Sequence, residues 1–164
     1  MKKKILVMAM VLAMIFGASA CGQRSEGALM FDVPAGFVYN SEVRRYLGPN
    51  YPDELANINY YSYENDGTFG ILTKETIEMT LEESLSESFL EDTDITLTAW
   101  EKTKVDGYKA FIYSYEFENG GIGYEQTQIV INGKDYIHYV TFSDYIDSPY
   151  TDEFYRCAKN MRFE

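Results

Sequence analysis

Histidine and cysteine are nearly absent from this chain, which has one His and two Cys in 164 residues. A zinc or other transition-metal site normally draws on several such ligands, so no metal cofactor is expected. Two cysteines cannot make a disulfide scaffold. Positive charge is also scarce, with 14 Lys and Arg against 26 Asp and Glu. Binding a phosphate backbone needs a basic surface, so nucleic acid is excluded as a partner. No Gly-x-Ser-x-Gly elbow occurs. Gly120-Gly121-Ile122-Gly123 lacks the third glycine of a dinucleotide loop and runs into a strand, so it reads as a bend. Long apolar runs are missing everywhere except near the N-terminus.

That single run decides where the protein works. Met1-Lys2-Lys3-Lys4 precedes the apolar stretch 5–16, and Gly17-Ala18-Ser19-Ala20 follows. This is the layout of an export signal, and residues 5–20 are fewer than the roughly 20 that a helix needs to span a bilayer. Ala18-Ser19-Ala20-Cys21-Gly22 resembles the lipobox of bacterial lipoproteins, with Ala18 where that family favours Leu. The resemblance implies cleavage before Cys21 and acylation of its sulfur. The expected division is a signal over 1–20, a lipidated Cys21 with a polar tether to 27, and one domain over 28–164. The partner expected through the acyl chains is the membrane, on its outer face. With Cys21 acylated, Cys157 has no intramolecular partner and reads as a small buried apolar residue.

Within 28–164 the pattern is mostly that of strands. Residues 29–33 and 37–39 read as extended, and 40–54 as a loop with one helical turn at 41–46. Residues 57–63 read as a strand, and Glu64-Asn65-Asp66-Gly67 as a hairpin turn into a second strand at 68–72. Thr80-Leu81-Glu82-Glu83 fits a capping box that opens a helix over 81–91, with Leu81, Leu85 and Phe89 as its apolar stripe. Strands at 95–103, 108–118, 122–132 and 136–143, joined at Asp106-Gly107, Asn119-Gly120-Gly121 and Asn132-Gly133, make an antiparallel meander with 108–118 expected at its centre. Ser148-Pro149 opens a last helix, and 161–163 an edge strand. The predicted class is α+β, an antiparallel sheet of about six to seven strands with helices packed on it.

A family resemblance follows from these segments. Phe31-Asp32-Val33-Pro34-Ala35-Gly36-Phe37, Gly107-Tyr108-Lys109-Ala110-Phe111, Gln126 to Lys134, Tyr136 to Thr141 and the closing 153–163 are similar to PsbP-type domains. The resemblance implies a PsbP-like fold and a non-enzymatic accessory or binding role. It carries no site residue onto this chain.

Chemistry is otherwise sparse. His138 lies on the strand side of Val140 and Phe142 and reads as a core residue. Asp92-Thr93-Asp94 lacks the spaced ligands of a calcium loop and reads as a solvated helix end. A small hydrolase working through paired carboxylates is the alternative reading, because 26 acidic residues always supply some suitable pair. The abundant feature is aromatic: 15 Tyr and 10 Phe with a single Trp. Tyrosine suits protein and glycan ligands, so Tyr60, Tyr61, Tyr63, Tyr113 and Tyr115 are the candidate binding surface, with sheet packing as their other reading.

Overall fold

The computed structural model describes residues 27–89 and 94–164, and the side chains of all of these except 84–89. Cys21, most of Asp92-Thr93-Asp94, and the Leu85 and Phe89 side chains lie outside the described residues. The elements are β1 (Leu29–Met30), β2 (Val38–Asn40), β3 (Arg45–Leu47), β4 (Asn57–Glu64), α1 (Lys74–Phe89), β5 (Ile95–Val105), β6 (Tyr108–Asn119), β7 (Ile122–Asn132), β8 (Tyr136–Tyr145), α2 (Thr151–Lys159) and β9 (Arg162–Phe163).

Seven strands form one antiparallel sheet in the order β2-β3-β4-β8-β7-β6-β5, and β1 pairs separately with β9. The class is α+β, as the sequence implies. Strands β5 to β8 are the expected meander, and Asp106 (φ 47°) with Gly107 (φ 86°) supplies the positive φ angles of the β5–β6 turn. The middle strand is β8 rather than β6, because β4 returns to pair along β8 from Asn57↔Ser143 to Glu64↔Tyr136.

Three local expectations fail for physical reasons. Residues 41–46 form no helical turn: Asn40 Oδ1 accepts from the Glu42 and Val43 amides at 2.9 and 3.2 Å, closing a hairpin between β2 and β3. The Asn65-Asp66-Gly67 turn does not return a strand. Asn65 Nδ2 donates to Asn132 Oδ1 and to the Gly133 carbonyl at 2.8 and 2.7 Å, tying the segment to the β7–β8 turn, and Thr68–Ile71 coils into a 3-10 turn. The helix begins before its expected capping box. The Thr73 amide donates to Thr76 Oγ1 at 2.7 Å and the Thr76 amide donates back to Thr73 Oγ1 at 3.2 Å, a reciprocal cap with Thr in the place usually held by Glu. Thr80 is mid-helix, its hydroxyl donating to the Thr76 carbonyl at 2.6 Å.

Both faces of the sheet are covered. On one, Ile58, Ile112, Ile129, Ile131, Val140 and Phe142 pack against Phe154, Cys157 and Ala158 of α2. Cys157 is buried, as the sequence predicts, and burial pushes its thiol pKa up. On the other face, Tyr61, Phe111, Tyr113, Tyr115, Phe117, Val130 and Tyr139 pack with Ile77 and Leu81 of α1. The apolar stripe of α1 therefore begins at Ile77, one turn before its expected start.

Candidate functional site

The five candidate tyrosines do not form one surface. Tyr61, Tyr113 and Tyr115 are only 1–2 % exposed. Tyr113 and Tyr115 stack along β6 at 6.1 Å, and Tyr61 stacks on Tyr139 at 4.9 Å. The Tyr113 and Tyr115 hydroxyls are used internally: Tyr115 donates to Gln126 Oε1 at 2.5 Å, Tyr113 donates to Gln128 Oε1, and Gln128 Nε2 donates to Thr141 Oγ1 at 2.5 Å. Desolvation raises the pKa of Tyr61, Tyr113 and Tyr115, so all three stay neutral. Half-buried Tyr63 rests against Tyr61 at 5.4 Å on this face. Tyr60 is on the opposite face, its hydroxyl 3.0 Å from Nδ1 of the fully buried His138. Tyr61, Tyr113 and Tyr115 thus take the packing role that is their other reading, and His138 is the core residue expected.

An open aromatic site exists beside that layer. A cleft of about 860 Å³ lies between the 3-10 turn and the β5–β6 hairpin, within the usual range for small-molecule pockets. Its floor is a group of rings: Trp100 stacks with Phe111 at 5.0 Å, and Phe69 meets Phe111 at 5.2 Å. Trp100 and Phe69 are half-buried, whereas Phe111 is 4 % exposed. Asn65, Asn132, Lys102, Lys104 and Lys109 also line the cleft, and the β6–β7 register sets Asn132 beside Lys109.

Strand geometry explains why these residues meet. Side chains alternate along β5, but the register shifts between Leu97 and Ala99, where Thr98 is left as a bulge. Before the bulge Ile95 and Leu97 face the α1 side; after it Trp100, Lys102 and Lys104 do, opposite Tyr113, Phe111 and Lys109. Strict alternation from Ile95 would put Trp100 and both lysines on the other face. The tight turn at Asp106-Gly107 then sets Lys109 directly across from Lys104.

The three lysines are exposed, and none forms an ion pair among the described residues. Glu75 is held below the usual carboxylate range chiefly by its own backbone N–H and the Thr73 hydroxyl, with Lys102 only a minor contributor. On the opposite face the neighbouring Glu101 is engaged, accepting from the Tyr155 hydroxyl at 2.7 Å and pairing with Lys159 at 2.9 Å. Among the described residues, no group of three or more His, Cys, Asp or Glu is placed to hold a metal ion. No described helix is long and apolar enough to cross a membrane.

No protein-family model matches the chain, and no curated sequence matches it. Solved structures do. The solution structure of cyanobacterial PsbP (CyanoP) from Synechocystis aligns with a TM-score of 0.57 at 14 % identity, over 90 % of this chain and 99 % of that one. The fold is therefore PsbP-like. LpqN, described as involved in cell envelope biogenesis of Mycobacterium tuberculosis, aligns at 0.46 and 10 % identity over 83 % of this chain and 84 % of that one. PA94, a Pseudomonas aeruginosa protein of unknown function, aligns at 0.43 and 12 % identity over 75 % and 92 % of the two chains.

Proposed function

We propose that this chain is an extracytoplasmic binding module held on the outer face of a membrane by acyl groups on Cys21, with its ligand site in the Trp100 cleft. The cleft carries the binding part of this reading. Leaving an indole and a phenyl ring half open to water costs hydrophobic stabilisation that closure by α1 would have gained, and a ligand recovers it. The signal layout and the Ala18-Ser19-Ala20-Cys21 box support the anchoring part. The rigid sheet beneath the rings suits a site that binds without rearrangement.

Full-length protein extracted from its own membranes provides the test. Its N-terminal peptide is expected to begin at an acylated Cys21 by mass spectrometry. Affinity mass spectrometry against small-molecule pools from the envelope is expected to show retained compounds that a Phe69→Ala, Trp100→Ala variant loses. An unmodified Cys21 refutes the anchor, and equal retention by the variant refutes the cleft.

A further inference from the structure

Lys104 and Lys109 stand directly opposite one another across β5 and β6, and Lys102 is two residues along the same face. Like charges in directly paired positions repel, and neither lysine forms an ion pair among the described residues. Lysines on an edge strand commonly serve to block edge-to-edge pairing. That accounts for Lys102 and Lys104 on β5, but not for Lys109, which sits on the interior strand β6. Nor does it account for half-open Trp100 and Phe69 beside them. Cationic tips and an apolar floor in one cavity match a ligand that has both characters.

We infer that the cleft takes a small amphiphilic anion, a phosphate or carboxylate joined to a flat or chain-like apolar body. This rests on the cleft being the ligand site. The apolar body lies on Trp100 and Phe69, and the anion reaches Lys102, Lys104 and Lys109, beside which Asn132 also lines the cleft. The position of the chain ends adds to the case. The Phe163 amide donates to Asp106 in the β5–β6 turn at 2.6 Å, and the Ala28 amide donates to the Glu164 carbonyl at 2.7 Å. Residue 28, where the tether joins the domain, is therefore at the same end of the sheet as the cleft. Tethering at Cys21 keeps the site close to the membrane surface, where amphiphilic anions concentrate. The same chemistry can come from a soluble phosphate ester or from an acidic lipid headgroup.

Calorimetry on the full-length protein with 1-naphthyl phosphate, 1-naphthol and inorganic phosphate separates the two halves of the inference. Naphthyl phosphate is expected to bind roughly tenfold or more tighter than naphthol, the sum of three exposed charge contacts, and to weaken as salt is raised. It should shift the indole N–H resonance of Trp100, the chain's only tryptophan. Lys102→Gln, Lys104→Gln and Lys109→Gln together should remove the preference, while Arg156→Gln on α2 leaves it. Vesicles of phosphatidylglycerol and of phosphatidylcholine then distinguish the sources with Cys21→Ser protein, which lacks the anchor: retention on the former alone identifies a headgroup, and retention on neither a soluble ester. Naphthol binding as tightly as its phosphate overturns the anion and leaves the cleft as a binding site. No saturable binding by either ring compound, with envelope ligands retained by the Phe69→Ala, Trp100→Ala variant, overturns both.

Discussion

Raising the pH offers a direct reading of the aromatic layer under α1. Tyr61, Tyr113, Tyr115 and Tyr139 are each at most 2 % exposed. Burial lifts their folded pKa values above the ordinary 10.0, with neighbouring tyrosines adding to it at Tyr61 and Tyr113. A neutral group with a raised folded pKa contributes stability that is fully present below the unfolded value and is lost as pH rises through the interval between the two. At about one unit above the unfolded pKa each group costs on the order of 1 kcal/mol, so four together cost on the order of 5 kcal/mol near pH 11. Domains of this size are stable by about 5–15 kcal/mol, so cooperative alkaline unfolding is expected between about pH 11 and 12. The assay follows tyrosinate absorbance and near-ultraviolet circular dichroism together. The predicted result is a block of tyrosines that ionises only as the folded signal disappears. A smooth titration of every tyrosine near pH 10 with the dichroism unchanged would refute the buried assignment.

Other perturbations probe single contacts. Leu81→Ala empties a 1 % exposed position against the same rings and is expected to cost ~2–5 kcal/mol in denaturant unfolding; a change under about 0.5 kcal/mol contradicts the packing of α1. Thr73→Ala should cost about 1 kcal/mol by removing the cap, while Glu83→Ala, exposed in mid-helix, stays within about 0.5 kcal/mol; the reverse order would restore the helix start at Thr80. Gln128→Ala leaves the buried Tyr113 and Thr141 hydroxyls without their partner and should cost at least ~2 kcal/mol, more than Tyr113→Phe; equal costs contradict the linked network. Cys21→Ser should release the protein from the membrane fraction, and unchanged fractionation argues against the acyl anchor.

The meander was legible because its signals are local. Asp106-Gly107 and Asn119-Gly120-Gly121 carry the positive φ angles of tight turns, and the strands between them run close to their expected bounds. What escaped is non-local or depends on one inserted residue. Nothing in 57–64 announces that β4 pairs with β8, a contact closed across the whole meander. The Asn65 side chain that diverts the chain from a hairpin finds its partners at Asn132 and Gly133. The cleft was hidden by the bulge at Thr98, since unbroken alternation separates Trp100 and Lys102 from Leu97. Trp-x-Lys-x-Lys followed by Asp-Gly and Lys109 is the visible signal. It gains meaning only once the register of β5 against β6 is known. Tyrosine abundance misled for a related reason: composition reports how many rings there are, and β6 stacks most of its own inside the fold.

Binding at the cleft is tested most directly in the cell. Trp100 is replaced by a photo-crosslinking phenylalanine derivative, and Tyr39, 53 % exposed on the edge strand β2, by the same group in a second strain. After illumination of intact cells, intact-mass measurement of the membrane-extracted protein is expected to show a small-molecule adduct at position 100. The adduct should vanish when the three cleft lysines are changed to glutamine. Adducts at position 39 with none at position 100 would contradict the account and move the binding surface to the sheet edge.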